Sequence, residues 1–439
     1  MPFKLPIPRP MNWKKKISLR SLALIILFTL IAIKLTDYAL LRFLPDQEYL
    51  FPPNSRARYK TIEFDVVVSI NRFGFRGNET EITEGQILVI GDSFTFGFGL
   101  RDDHVWARLL EGKLKSSGLD LKVYNLGVPG TDSSFHLEVA DKYIRRLKPK
   151  FVVISVLVGD DFQQVLEKYG EQAPKKSTQG VLKTRADNST PSYFRIYFDS
   201  TKSYLKDLFP SLHEFYTHAR GLKSISRLLF PGLYRFYVQA RTYRSISTVE
   251  PTVSTVTQSW GEDARKIVRE KNLFLPDDVL KHARAGDINP GLFSLASEFP
   301  SRGHQFWDGV ERPGSSESYV LAEMTNKFLQ ISSLAKEFGG SLFIFSMPDG
   351  ESVNSKVTKN YRKYGFKISE SNLVDYKSEI ILAKMAKNCG AIFIPSLTDF
   401  RQHRGAELFF PLDGHLTPDG SELVANILSN ALLNQAHTH

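Results

Sequence analysis

Short apolar runs alternate with amphipathic stretches in two parts of this chain, 86–162 and 316–436. The apolar runs have the length and side-chain content of buried strands, while the stretches between them repeat apolar residues at helical spacing. Strands are predicted at 86–90, 121–125, 151–158, 341–346 and 391–395. Helices are predicted at 103–114, 132–147, 317–338, 376–387 and 418–433. This alternation predicts an α/β fold, in which a parallel sheet is sandwiched by helices.

The regular pattern is lost between the two parts, over 163–315. This stretch is too long for a plain loop, so an inserted and largely helical subdomain is predicted. Aromatic and basic residues interleave over 193–244, which suits a lid, a surface resting on anionic lipid headgroups or a glycan-binding face. The same residues could equally form the core and the solvated face of the insertion itself. No single-strand-binding motif accompanies them, so nucleic-acid binding is not predicted.

The charge pattern of the N-terminus indicates targeting. The chain of 439 residues has a net charge of +10, and its first 20 residues hold six basic and no acidic side chains. The remainder therefore carries only +4, which does not argue for nucleic acid. An apolar run follows at 22–33. A signal-anchor transmembrane helix is predicted at 17–41, with a cytoplasmic basic tail at 1–16 and a juxtamembrane lead-in at 42–85. A cleaved signal peptide and a buried core helix are the alternatives.

Two short segments carry candidate chemistry. Ser93 follows the first predicted strand, at the edge of a parallel sheet where ligands bind in α/β folds. A serine hydroxyl becomes a useful nucleophile only when a base takes its proton and a third group holds that base. His415 and Asp413 can fill these two roles from one short loop. Each segment alone is also common in ordinary turns. Together they predict a serine-dependent acyl hydrolase or acyl transferase.

Four blocks, in this order along the chain, resemble the SGNH/GDSL hydrolase family. The blocks are Gly91-Asp92-Ser93-Phe94, the stretch from Asn125 to Gly130, Val158-Gly159-Asp160-Asp161, and Asp413-Gly414-His415. The lead-in segment 70–77 is similar to that of membrane-tethered bacterial members. The resemblance covers roughly 61–162 and 316–436. It implies an SGNH-like, flavodoxin-like domain built from 86–162 and 316–436. It also implies a single-pass protein of the bacterial inner membrane, with its catalytic domain in the periplasm or outside the cell.

The resemblance implies a catalytic triad of Ser93, Asp413 and His415. It implies an oxyanion hole formed by the backbone N–H groups of Ser93 and Gly130, with Asp160 where the family has asparagine. An ionised carboxylate cannot donate a hydrogen bond to an oxyanion. Asp160 is therefore protonated, or the backbone acts alone, or activity is low. The Asp-x-His spacing is one residue shorter than the usual one. Membrane-linked polysaccharide O-acetyltransferases related to the family share it.

Three functions remain open at this stage. The first is an esterase that acts on an acylated envelope glycan or lipid. The second is an O-acyltransferase for an extracytoplasmic polysaccharide, which would need a membrane protein as acyl donor. The third is a non-catalytic glycan-binding protein, which only Asp160 favours. No cofactor or metal is implied, and the lone Cys389 allows no intrachain disulfide. His104 is expected to be solvated at a helix start, and for His136 a position facing the cleft is open although a surface role is favoured.

Overall fold

A computed structural model gives the architecture of the protein. It describes residues 19–43, 50–51, 53–77, 79, 81–169, 254–255, 260–298, 300–301, 304–403 and 406–436. The described residues divide between two units: 19–43 belong to the first, and all the other described residues belong to the second. The predicted cytoplasmic tail and the aromatic and basic stretch 193–244 lie outside the described residues.

The described part of the first unit is helix α1, Leu19–Phe43. It overlaps the anchor predicted at 17–41, and several of its apolar side chains, including Leu24, Phe28 and Leu35, are exposed. Among all helices of the described residues, none has both the length and the apolar character needed to cross a membrane. The predicted transmembrane helix is therefore not confirmed.

The second unit is organised around a five-stranded parallel sheet. Its strands are β3 (Ile87–Ile90), β4 (Val123–Asn125), β5 (Phe151–Leu157), β7 (Ser341–Met347) and β8 (Ile392–Ile394). The order across the sheet is β4-β3-β5-β7-β8, and every neighbouring pair is parallel. The chain places β4 on one side of β3 and β5 on the other, so the strand order changes direction between β3 and β5. In parallel α/β sheets, ligands usually bind in the crevice at the carboxyl ends of two such strands. The predicted α/β fold with a parallel sheet is confirmed.

Helices cover both faces of this sheet. They are α2 (Ser93–Phe96), α3 (Trp106–Ser116), α4 (Ser133–Leu147), α5 (Asp161–Tyr169), α6 (Trp260–Glu270), α7 (Asp277–Ala285), α8 (Gly291–Glu298), α9 (His304–Val310), α10 (Ser316–Glu337), α11 (Ser355–Lys363), α12 (Lys377–Cys389), α13 (Leu397–Gln402) and α14 (Pro418–Ala436). Short 3₁₀ turns occupy Asp102–His104, Gly350–Ser352 and Glu370–Leu373.

Alternate residues of each strand point to opposite faces of the sheet, so there are two cores. Ile87 and Val89 pack in one core, with α3 and α14, and Leu88 and Ile90 pack in the other, with α4, α10 and α12. All seven residues of β5 are buried, as expected for a strand covered on both sides. Helices α6, α7 and α8 come from the second half of the predicted insertion, and their apolar residues join the first core.

A second, small sheet stands beside the main one. Strands β1 (Arg56–Lys60) and β2 (Asp65–Ser69) form an antiparallel hairpin, and β6 (Ser254–Thr255) pairs with β1 in parallel. The hairpin packs through Phe64 and Val66 against Phe98 and Trp260. The lead-in segment is thus a built part of the second unit, with its turn pointing toward the C-terminal loops.

Arg76 is the cation that fixes the lead-in to the main domain. Its side chain is 2% exposed and donates hydrogen bonds to the carbonyl oxygens of Phe96 and Leu100, at 2.7 and 2.6 Å. It also pairs with Asp102 at 3.0 Å. These carbonyls belong to the segment that follows Ser93, so Arg76 satisfies polar groups that would otherwise be buried alone.

We expect Arg76→Ala to lower the free energy of unfolding by about 3–5 kcal/mol, because buried carbonyl groups and Asp102 lose their partner. Urea denaturation measures the loss. The matched control is Arg72→Ala, since Arg72 is exposed and its guanidinium lies over the ring of Phe73. A similar, small loss for both variants would contradict the proposed role of Arg76.

Candidate active site

Ser93 stands at the first residue of α2, directly after the buried strand β3. Asp92 caps the helix, with its side chain accepting a hydrogen bond from the N–H of Phe94 at 3.0 Å. Gly91, just before it, has no room for a side chain, because a Cβ at this position would lie 2.2 Å from Oγ1 of Thr95. The turn therefore presents the Ser93 hydroxyl at the carboxyl edge of the sheet.

His415 reaches this hydroxyl from the C-terminal loop. Its Nε2 lies 2.8 Å from Oγ of Ser93, and its Nδ1 contacts Oδ1 of Asp413. The side chains of His415 and Asp413 are only 12% and 4% exposed. With Nδ1–H donating to the carboxylate, Nε2 is left to accept the proton of the serine hydroxyl. The three residues that the sequence places in a triad are thus brought together in hydrogen-bond contact.

Two aromatic rings flank the imidazole of His415. The ring centroids of Phe94 and Phe98 lie 4.8 and 4.9 Å from that of His415. Phe98 is itself packed by Phe64 and Trp260. These contacts keep the imidazole in one orientation and limit the access of water to it.

The loop that carries Asp413 is held by side chains on and just after α11. Asn360 donates to the carbonyl of Pro411 at 2.9 Å, and Tyr361 donates to that of Asp413 at 2.8 Å. Tyr364 donates to the carbonyl of Leu412 at 3.2 Å. Three successive carbonyls of the loop are therefore fixed. Sequence reasoning missed these residues, because each acts on a loop that is distant along the chain.

The other predicted oxyanion residues lie on the two neighbouring loops. Strands β4 and β5 flank β3, so Gly130 after β4 and Asp160 after β5 share the edge of the sheet with Ser93. Gly130 has a φ of 72°, a left-handed conformation that favours glycine. Asp160 is 7% exposed. Their assignment to an oxyanion hole stays a prediction.

Asn125 ties the second loop to the serine turn. Its side-chain amide donates to the carbonyl of Thr95 at 2.8 Å and accepts from the N–H of Gly127 at 2.9 Å. Gly127 has no room for a side chain, because a Cβ would lie 2.2 Å from the backbone nitrogen of Phe96. The second sequence block therefore supports the geometry of Ser93 through backbone contact.

Buried carboxyl groups crowd this edge of the sheet. Burial raises the pKa of Asp92 to about 6, with a smaller contribution from the charge of Asp160. Burial also raises the pKa of Asp161 well above its usual value, and the charges of Asp92, Asp132 and Asp160 add to the effect. Repulsion among these groups favours states in which some of them keep a proton at neutral pH.

His136 is not at the surface, which corrects the expectation from sequence. Its side chain is fully buried, and burial lowers its pKa to about 4, so the imidazole is neutral. Its Nε2 lies 3.0 Å from Oγ1 of Thr131. His104, by contrast, has a side chain that is 43% exposed, as expected.

Among the described residues, one group of side chains could hold a metal ion. It consists of His304, Asp349 and Glu351, whose ligand atoms all lie within 4.8 Å of one another. A serine, histidine and aspartate triad needs no metal for its chemistry. The contacts among Ser93, His415 and Asp413 do not include this group.

A comparison with known proteins finds one sequence relative, which is an esterase. No family model matches the chain. The esterase TesA of Pseudomonas aeruginosa is 28% identical over 100 residues, which is 22% of this chain and 50% of that protein. The chain thus spans about half the length of the curated relative it matches.

The chain is similar to SGNH/GDSL hydrolases. Among solved structures, TesA covers 78% of this chain and 97% of its own, with 10% identity and a TM-score of 0.31. The acetyl xylan esterase AlAXEase covers 79% and 98%, with 10% identity and a TM-score of 0.34. A proposed SGNH hydrolase of Slackia heliotrinireducens covers 80% and 100%, with 11% identity and a TM-score of 0.32.

The Asp-x-His spacing of this chain depends on Gly414. Its φ of +83° lets the loop turn within one residue, and a Cβ would lie 2.0 Å from the hydroxyl of Tyr361. We expect Gly414→Ala to lower the free energy of unfolding by about 2–4 kcal/mol, the sum of left-handed strain and overpacking. Urea denaturation measures it.

Gly118→Ala is the control, because Gly118 has a similar φ of +89° and a Cβ there would have nothing within 4 Å. That variant should lose about 1 kcal/mol, from the backbone conformation alone. Equal losses for both variants would show that Tyr361 does not constrain the loop.

Proposed function

We propose that the protein is a serine-dependent ester hydrolase that uses Ser93, His415 and Asp413 as a triad. The observation that supports this most directly is the 2.8 Å contact between Nε2 of His415 and Oγ of Ser93. It is joined to the contact of Asp413 with Nδ1 of the same imidazole. A base in hydrogen-bond contact with a serine, itself oriented by a carboxylate, is the arrangement that activates such a nucleophile.

The proposed reaction has two steps. Oγ of Ser93 bonds to the carbonyl carbon of the ester while Nε2 of His415 takes the hydroxyl proton. The bond to the leaving alcohol then breaks, and the alcohol departs with that proton. His415 next takes a proton from water, whose oxygen attacks the acyl carbon. The bond to Ser93 breaks, the serine regains its proton and a carboxylic acid is released.

In the proposed reaction, hydrogen-bond donors stabilise the negative charge that develops on the carbonyl oxygen of the ester. We propose the backbone N–H groups of Ser93 and Gly130, which lie on adjacent loops at the edge of the sheet. Asp160 would be the third donor, as a protonated acid, since only that form can donate. Asp160 is buried at the same edge of the sheet, directly after β5.

For the substrate we propose an acylated glycan or lipid of the cell envelope. This rests on the basic and apolar N-terminal segment, which predicts a single-pass anchor with the catalytic domain outside the cytoplasm. An acyl-enzyme at Ser93 could also pass its acyl group to a sugar hydroxyl. No contact of the site favours such transfer over hydrolysis, and a transferase would need a membrane protein as acyl donor.

Fluorophosphonate labelling tests the activated serine. We expect the wild-type protein to be labelled, and Ser93→Ala to lose both labelling and at least about 10⁴-fold in hydrolysis of a p-nitrophenyl ester. Ser116→Ala is the control, since that serine is exposed and bonds only to its own helix. A folded wild-type protein that takes no label would instead favour the non-catalytic glycan-binding alternative.

Asp160→Asn tests the third donor. Asparagine donates at every pH, whereas Asp160 donates only while protonated, so the activity of the variant relative to wild type should rise with increasing pH. At acidic pH the two proteins should have similar kcat for the ester. A pH profile of kcat measures both expectations.

The control for this variant is Asp141→Asn, because Asp141 is exposed on α4 and pairs with Arg145. Its profile should match that of wild type. If Asp160→Asn instead lost about 100-fold or more at every pH, the carboxyl group would have a role of its own.

A further inference from the structure

The turn of the β1–β2 hairpin reaches the loop that carries the proposed triad acid. Oε1 of Glu63 accepts a hydrogen bond from the N–H of Leu412 at 2.8 Å. Oε2 accepts one from the N–H of Asp413 at 2.7 Å. Each carboxylate oxygen thus takes one of two consecutive N–H groups, a bidentate pairing that fixes orientation as well as distance.

These two bonds complete the support of the loop. Asn360, Tyr361 and Tyr364 hold its carbonyl groups from the side of α11. Glu63 holds its N–H groups from the hairpin. Asp413, whose carboxylate contacts His415, is therefore fixed through both its N–H and its C=O. A displacement of the Glu63 carboxylate would therefore move Asp413, and Asp413 would move the imidazole of His415.

The hairpin turn is itself well anchored. Oγ1 of Thr61 accepts hydrogen bonds from the N–H groups of Glu63 and Phe64, both at 3.1 Å. The ring of Phe64 packs on Phe98 and Phe410, with centroids 5.7 and 5.2 Å apart. The carboxyl group of Glu63 therefore stands on a rigid base and can position the loop.

The Glu63 carboxyl titrates in an unusual range. Burial raises its pKa to about 7, and the two backbone N–H groups only partly oppose this. The charges of Asp413 and Glu407, both on the C-terminal loop, raise it further. Tyr364 also faces it, and its own pKa is raised by burial and by the charge of Glu63. The ionised form accepts both N–H groups fully, whereas protonation weakens one of the two bonds.

We propose that Glu63 is a positioning residue for the esterase reaction, and that its carboxylate holds Asp413 and hence His415 in the productive geometry. This inference rests on the proposed function. Glu63 acts through the loop backbone, so its ionisation sets how firmly the triad acid is placed. Small displacements of catalytic groups are costly, since about 1 Å can lower a rate by about 100-fold.

The first experiment compares Glu63→Gln with wild type in hydrolysis of a p-nitrophenyl ester across pH 5 to 9. The amide oxygen can accept one N–H, but the NH₂ group then faces the other N–H, so one bond is replaced by a clash of two donors. We expect kcat to fall by about tenfold or more above neutral pH, with KM changed by less than about threefold.

The pH dependence separates positioning from a purely structural role. As pH rises through about 7, wild-type Glu63 becomes ionised and gains its second full bond, while the variant gains nothing. The ratio of wild-type to variant kcat should therefore be smallest in acid and should increase with pH. A ratio that stays constant from pH 5 to 9, or an unchanged kcat, would overturn the inference.

Glu407→Gln is the matched control. Glu407 lies on the same loop and also faces Glu63, but its carboxylate pairs with the side chain of Lys356. It removes a negative charge from the loop without touching the N–H groups of Leu412 and Asp413. Because the charge of Glu407 raises the pKa of Glu63, this variant should move the rise of kcat to lower pH and keep the wild-type kcat at alkaline pH. A loss of kcat at alkaline pH for this control as well would overturn the specific role of Glu63.

A readout without catalysis keeps this inference distinct from the proposed function. In the wild-type protein, NMR should show the amide protons of Leu412 and Asp413 shifting together with an apparent pKa near 7. Amide protons that do not shift would overturn the role of Glu63 even where Ser93 is labelled by fluorophosphonate. If these amide protons shift in a protein that fluorophosphonate does not label, the result would support the role of Glu63 in holding the loop and would contradict the proposed esterase function.

Discussion

The contact between Nε2 of His415 and Oγ of Ser93 joins two loops that lie 322 residues apart in the sequence. Such a contact has no local cause, because nothing within either loop brings the other close. Each partner must be placed by its own surroundings to within a few tenths of an ångström. The fold positions Ser93 and His415 by two different kinds of interaction.

On the serine side, the device is the parallel sheet. Strand β3 is buried on both faces, and Gly91 and Asp92 convert its end into a helix start within two residues. Close packing of Gly127 against the backbone of Phe96 then fixes the turn from outside. The position of Ser93 therefore follows from the main core, and it should be the stiffer half of the site.

On the histidine side, the device is a set of hydrogen bonds to the loop backbone. The loop has no long strand of its own beyond the isolated bridge from Phe409 to Leu416. Side chains on and just after α11 donate hydrogen bonds to carbonyl groups of the loop. The carboxylate of Glu63 accepts hydrogen bonds from two of its N–H groups. An irregular segment can be held in this way only where each buried polar group finds a partner. The rings of Phe94 and Phe98 then set the plane of the imidazole.

This difference explains what the sequence could predict. The strands, the main helices and the candidates Ser93, Asp413 and His415 follow from apolar periodicity and from short motifs, because each of these signals lies within a few residues. Glu63, Asn360 and Tyr361 are visible only in three dimensions, since each acts on a loop more than 50 residues away. The burial of His136 was missed for a similar reason. Its helix carries a buried face on a polar-rich sequence, and Thr131 supplies a partner for Nε2 of the buried imidazole.

The short Asp-x-His spacing follows from the same constraint. With one residue between acid and base, the chain must reverse at Gly414, and only a left-handed φ allows Asp413 and His415 to face each other. The reversal exposes the carbonyl of Asp413 to the other side, where the hydroxyl of Tyr361 occupies the space that a Cβ at residue 414 would need. Glycine at position 414 is therefore needed both for the left-handed φ and to leave space for the hydroxyl of Tyr361. A longer spacing would relax the need for glycine, but it would also move the carbonyl of Asp413 away from the hydroxyl of Tyr361 and remove that hydrogen bond from the support of the loop.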